Sequence, residues 1–264
     1  PVSTFTTIET STAPRVLNRF QQMNAVRVLG GENPGVTKEE GLQVLEAAGY
    51  SVSVPARPLC CGRPLYDFGL LDQARSQLAE ILEVLRPEIE AGLPIVALEP
   101  ACVSVFKDEL PNLFAGDALA SRLAAQAVYF SDFLQHETSL PERPASRRAL
   151  VHGHCHHKAL IGMKGEMALL HRVGIAAKAV ESGCCGMAGA FGFRPESYAL
   201  SVKAAELDLL PAVRAAAADE LIVASGYSCR EQIEQLSPRK AVHAAQAVAH
   251  ALRIDAATGS MPSE

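Results

Sequence analysis

The tripeptide Cys-Cys-Gly occurs twice in this chain, at Cys60-Cys61-Gly62 and at Cys184-Cys185-Gly186, 124 residues apart. Two further landmarks repeat in the same order. Leu45-Glu-Ala-Ala-Gly49 matches Leu170-His-Arg-Val-Gly174 at an offset of 125, and Ile95-Val-Ala-Leu-Glu-Pro-Ala-Cys102 matches Ile222-Val-Ala-Ser-Gly-Tyr-Ser-Cys229 at 127. Three landmarks at nearly constant offset make an internal duplication, which constrains the fold before any single element does.

Each copy reads as alternating strand and helix. In the first, 38–48 has a helical pattern stopped by Gly49, Tyr50–Val54 is a short strand, 72–90 an amphipathic helix, Pro94–Leu98 a buried strand, and 103–110 opens another helix. In the second, Ala149–Val151, Ala176–Val180 and Glu220–Ala224 are strands, 159–172 and 195–213 helices, and 240–252 an apolar-faced closing helix. The expected architecture is α/β: two tandem Rossmann-like repeats with short parallel sheets, related by a pseudo-twofold. The boundaries expected are a poorly packed segment 1–25, a first repeat over 26–140, a second over 149–252 and a tail over 253–264. Pro141, Pro144 and the Arg-rich 142–148 read as a solvated linker.

The cysteines are the chemical anomaly. There are seven, an odd number that includes two adjacent pairs, in a chain with no secretory pattern at its start, so a disulfide framework is not expected. Cys155, the pair Cys184–Cys185 and Cys229 each follow a different predicted strand of the second repeat. Parallel strands would bring those loops to one side of the sheet, where open α/β sheets place ligands. Four sulfurs sharing a pocket with glycine-rich backbone suit an iron–sulfur cluster, whose thiolates are tuned by nearby N–H groups. Zinc is the chemical competitor, although it usually draws its ligands from close Cys-x(2–4)-Cys pairs. A thiol–disulfide reductase acting through the adjacent cysteines is a third reading. In the turn His152-Gly-His154-Cys155-His156-His157, His154 and His156 flank the cysteine and are candidates for a further ligand or a proton relay.

Composition excludes other classes. A net charge of −5, 5% aromatic residues and no Trp give neither a basic footprint nor a base-stacking platform, so no nucleic-acid partner is expected. No apolar run reaches the ~18 residues of a membrane span. No dinucleotide fingerprint, phosphate-binding loop or serine nucleophile motif is visible. Met163, Met167 and Met187 read as core filling.

Taken together, the phrases PLCCGRPLYDFGLLDQAR, LEPACVSVFKDELPNLF, VHGHCHHKALIGM, SGCCGMAGAFGF and GYSCREQIEQL resemble the cysteine-rich CCG domain family over roughly 43–252. That family includes cysteine-rich subunits of heterodisulfide reductase and of anaerobic glycerol-3-phosphate dehydrogenase, and the iron–sulfur subunit of glycolate oxidase. The wording is most similar to the C-terminal iron–sulfur part of FAD-linked D-2-hydroxy-acid dehydrogenases of the D-lactate or D-2-hydroxyglutarate type. The resemblance implies a [4Fe–4S] or related cluster passing electrons between a flavin and a quinone or protein acceptor. It also implies that FAD resides on a partner domain or subunit, without which the chain does not oxidise substrate. The implied location is cytoplasmic, or peripheral on the inner face of the membrane.

The full motif of the family has five cysteines per repeat. The second repeat keeps Cys155, Cys184, Cys185 and Cys229, with Gly226 at the remaining place. The first keeps Cys60, Cys61 and Cys102, with Glu99 at one ligand place and Gly30 at another. One cluster in the second repeat is therefore expected. The first is a degenerate site whose Cys60, Cys61, Cys102 and Glu99 pack, bind zinc or face a shared cleft. Residues 1–45 instead resemble a periplasmic segment of resistance-nodulation-division efflux permeases, with Val26–Leu29 still able to supply a first strand.

Overall fold

The computed structural model describes residues 24–28, 38–137, 139–189 and 191–254. The expectations for 1–23, for position 30 and for the tail beyond Ile254 lie outside the described residues.

Two four-stranded parallel sheets are built from successive halves of the chain. Strands β1 (Asn24–Val28), β2 (Ser51–Ser53), β3 (Ile95–Ala97) and β4 (Ala127–Tyr129) align in the order β2-β1-β3-β4. Strands β5 (Arg147–His152), β6 (Ile175–Ala179), β7 (Leu221–Ala224) and β8 (Ala241–Val242) align as β6-β5-β7-β8. The order is the same in both, as a duplication requires. The expected first strand is present as β1, the inner neighbour of β2 and β3, and the fold is α/β.

Turn chemistry explains the ends of several elements. The helix Lys38–Ala47 stops where Gly49 takes φ +88° and the Tyr50 N–H donates 3.1 Å to the Leu45 carbonyl, a Schellman closure. Three expected helices are each divided. The helix expected over 72–90 forms as Leu71–Val84 and Arg86–Glu90, because Pro87 has no N–H to continue the ladder. That over 159–172 becomes a π-helical turn, His157–Ile161, closed by Gly162, and then the helix Lys164–Arg172. That over 195–213 breaks at Asp208 into Pro195–Leu207 and Leu209–Ala215, since the Pro211 ring would collide with the Leu207 carbonyl. Strands β4 and β8 add to the expected set: each runs within a residue into a helix, and β8 (Ala241–Val242) takes the start of the helix expected over 240–252, which begins instead at Ala244.

The stretch 142–148 is largely exposed, as a solvated stretch should be, and it is also tied down at several points. Arg147 and Arg148 open β5, the Arg143 N–H donates to Arg172 O and the Ser146 N–H to Gly174 O. The Arg143 guanidinium reaches the Ala251 carbonyl at 3.0 Å, at the C-terminal end of the helix Ala244–Leu252. Arg253 caps that helix at φ +55° and the Ile254 N–H bonds Ala249 O.

The largest apolar cluster belongs to both halves. Val44, Leu45, Val96, Phe130 and Leu134 of the first pack with Val151, Leu169, Val223, Val248 and Leu252 of the second, all nearly inaccessible to solvent. Each half has in addition its own outer cluster, around Ile81, Leu85 and Phe106 in one and Leu209, Val213 and Ile233 in the other. The helices Lys38–Ala47 and Ala244–Leu252 contact each other directly. This shared layer fixes the carboxyl ends of the two sheets relative to each other.

Candidate metal centre

Because β6, β5 and β7 are neighbours in that order, the segments following them meet. Cys155 lies three residues after β5, Cys184 and Cys185 lie in the loop after β6, and Cys229 is the third residue of the helix Tyr227–Leu236 after β7. All seven cysteines of the chain are unbridged. The four in this half form one continuous series of sulfur contacts, from Cys155 to Cys184, Cys184 to Cys185, and Cys185 to Cys229.

The thiols along that series are shifted in alternating directions. Cys184 accepts from Cys155 and Cys185 and its thiol is held far below the ordinary range. Cys229 is likewise lowered by Cys185 and by the neighbouring His152. Cys155 and Cys185, the donors, are raised, with burial adding to the effect. Backbone dipoles favour the same thiolate: the Gly186 N–H lies 3.3 Å from Cys184 Sγ. That orientation needs φ +93° at Gly186, and a Cβ there would sit 2.1 Å from the Ser201 carbonyl of the helix Pro195–Leu207. Ala188, two residues on, also has positive φ, +40°, a strained value for a residue with a Cβ.

His152, the last residue of β5, is fully buried. Its Nδ1 lies 2.9 Å from Ser182 Oγ, leaving Nε2 for the sulfurs. Ligand atoms of His152, Cys185 and Cys229 lie within 4.8 Å of one another. Neither spacing nor flanking position singles out His152. The available signal is its place at the end of a strand, on the side where the cysteines gather.

His154 and His156 are placed differently. Their rings stand 5.2 Å apart, and the His156 N–H donates to His154 Nδ1. A Cβ on Gly226 would come within 2.5 Å of the His154 ring. The imidazole thus fills the space that a cysteine at 226 would need. Burial and the nearby Arg63 charge push His156 down, so it stays neutral.

In the first half, Cys61 and Cys102 are buried and in hydrogen-bond contact, with Cys61 lowered and Cys102 raised by that bond. Cys60 is exposed. Glu99 accepts from the Ala101 N–H at 3.3 Å and, across the molecule, from the Tyr227 N–H at 3.0 Å. It therefore caps its own helix, Pro100–Ser104, and the helix that carries Cys229. Arg63, directly after Cys60-Cys61-Gly62, is buried and paired with Glu109 at 2.5 Å. Asp67 packs on Gly189, so the two Cys-Cys-Gly loops face each other.

The fold and site together define a duplicated α/β unit with paired cysteines gathered at the carboxyl ends of its parallel strands. No family model matches the chain. It is similar to the C subunit of the anaerobic glycerol-3-phosphate dehydrogenase of Escherichia coli K12, 28% identical over 215 residues that cover 80% of this chain and 54% of that protein. It is similar also to lactate utilization protein A of Geobacillus kaustophilus (30% over 163 residues) and of Bacillus velezensis (29% over 163 residues), each match covering 58% of this chain and 66% of the relative. The chain spans about half the length of the first of these relatives. These matches give no support to a permease resemblance over residues 1–45.

Proposed function

We propose that this chain is the iron–sulfur electron-transfer part of an oxidoreductase, with Cys155, Cys184, Cys185 and Cys229 as thiolate ligands of one cluster. The observation that carries the reading is the convergence of the four cysteines where the segments after the neighbouring strands β5, β6 and β7 meet. The donor set fits the group: four soft ligands in a largely buried pocket, with a backbone N–H aimed at one sulfur. When bound, such a cluster supplies one-electron transfer without proton chemistry of its own. The chain's own residues orient and tune the ligands. Gly186 and Ala188 turn amides toward Cys184, Ser182 fixes the His152 ring, and Lys158 ties down the Ser182 and Gly183 carbonyls beside Cys184.

The relatives are by name a dehydrogenase component and lactate utilization proteins. In this reading the chain works with a flavin-containing domain or subunit that oxidises a small hydroxylated substrate, of the D-2-hydroxy-acid class or a related complex. It passes the electrons to a quinone or protein acceptor. Its repeats, 26–140 and 149–252, act as one body, with the first a degenerate site. No helix among the described residues is long and apolar enough to cross a membrane, which accords with a cytoplasmic or peripheral place.

Protein reconstituted anaerobically with iron and sulfide should retain both and show a visible absorption that dithionite bleaches. Retention of zinc with neither iron nor sulfide would overturn the reading in favour of a structural zinc site, for which His152, Cys185 and Cys229 form a compact group among the described residues.

A further inference from the structure

Where the two halves meet lies a second buried polar group that ligand chemistry does not use. Glu166, on the helix Lys164–Arg172, is fully buried. Its Oε2 accepts from the Tyr129 hydroxyl at 3.0 Å and from Ser225 Oγ at 2.8 Å. Its Oε1 is buried with no hydrogen-bond partner. His157, also fully buried, places Nδ1 3.9 Å from Glu166 Oε2 and packs against Tyr129 with ring centroids 4.4 Å apart and the rings tilted by 60°. Neither ring nitrogen of His157 has a hydrogen-bond partner. Tyr129 ends β4 of the first sheet and Ser225 follows β7 of the second, so the carboxyl group sits at the junction.

We propose that Glu166 is the proton-carrying group of the electron-transfer site. An electron from a one-electron donor, delivered to the four-sulfur site, is matched by a proton taken from solvent onto the Glu166 carboxylate, and that proton is released when the electron leaves. The inference rests on the cluster reading above and goes beyond it.

An unpaired carboxylate in a dry interior is costly, and neutralisation by a proton is the ordinary escape. The groups facing Glu166 decide how readily it takes one. Asp132, on the helix Phe130–Leu134, adds negative charge, with Lys107 beside Asp132. His152, on β5, adds the opposing positive influence, and the Tyr129 and Ser225 hydroxyls favour the carboxylate. Burial outweighs them and raises Glu166 to about 7. His157, whose ring nitrogens have no hydrogen-bond partner, gives the carboxyl group no hydrogen bond. His152 links the two sites, since it contacts Cys229 on one side and acts on Glu166 on the other. Negative charge added at the sulfurs must therefore favour protonated Glu166. The Oε1 atom, with no donor directed at it, is the place left for the proton.

The test is the midpoint potential of the cluster-loaded full chain, titrated with dithionite from about pH 5.5 to 8.5, across the region where the carboxyl titrates. In the wild-type protein the potential should fall as pH rises through that range. In Glu166→Gln, which keeps an acceptor for both hydroxyls, it should be flat there, whereas Asp132→Asn should keep the slope. A loaded wild-type protein with a pH-independent potential, or an E166Q protein with the wild-type slope, would overturn this proposal alone. A wild-type chain that binds neither iron nor sulfide would overturn the cluster reading with it. Should E166Q not load, the reduced-minus-oxidised infrared spectrum of the wild-type protein decides. A protonated-carboxyl band gained on reduction supports the proposal, and its absence at several pH values overturns it.

Discussion

Gly226 stands where a complete motif would have a cysteine, and the reason is visible at atomic scale: the His154 ring occupies that space. Glu99 stands at a corresponding place in the first half and has become a cap for the helix of Cys229. Losing the cap should loosen that helix start, so Glu99→Ala is expected to cost about 0.5–2 kcal/mol in denaturant unfolding. Gly186→Ala combines a left-handed backbone with a 2.1 Å clash on Ser201 O. A loss of at least about 2 kcal/mol is expected, together with weakened metal retention. A near-neutral effect would show that the loop after β6 is not held as described. The four cysteines of the second half can be picked out from residue type and order alone. His152 cannot, because its role depends on which ring nitrogen faces the sulfurs, and that is set by a contact with Ser182, thirty residues away.

Among elements, β2 and β3 are legible in sequence although each has only three residues. A helical pattern with a glycine stop or an apolar run marks them, whereas β4 and β8 run directly into helices and are hidden. The π-helical turn His157–Ile161 has the sequence pattern of ordinary helix, because its distinguishing bond, Gly162 N–H to His157 O, leaves no periodic trace over five residues. This turn and the helix Lys164–Arg172 carry the buried His157 and Glu166, whose contributions to stability oppose each other with pH. Glu166 is raised from 4.5 to about 7, so its stabilisation is full below about pH 4.5 and is lost as pH rises through 7. His157 is lowered from 6.5 to about 4, so its contribution is present above 6.5 and is lost as pH falls through 4. Comparing wild type with E166Q isolates the first effect. From pH 5 to 8 the wild-type protein should lose stability relative to E166Q, by on the order of 2–4 kcal/mol at most, in urea titrations. A pH-independent difference would contradict the buried, neutral carboxyl group.

At the scale of the whole molecule, the duplication foretells two sheets of one topology but not how they join. The joining surface is a core to which both halves contribute, and single-sequence periodicity marks a face as apolar without saying which neighbour covers it. The boundary expected near 142–148 illustrates this: its arginines have the pattern of a solvated stretch, yet Arg143 caps the helix Ala244–Leu252. Because Leu252 is fully buried in the shared core, Leu252→Ala should cost about 2–5 kcal/mol while unfolding remains a single transition monitored over both halves. Two separate transitions would mean that the repeats are independent domains.

The central claim is that the sulfurs of the second half, and not those of the first, hold an iron–sulfur cluster. The most direct measurement is iron and acid-labile sulfide content after anaerobic reconstitution of Cys184→Ser, Cys229→Ser, Cys60→Ser and Cys102→Ser beside the wild type. The account predicts that C184S and C229S lose both iron and sulfide, whereas C60S and C102S keep wild-type content, at a cost of about 1–3 kcal/mol in stability where the thiol is buried. Equal loss from both pairs, or retention in C184S and C229S, would contradict it.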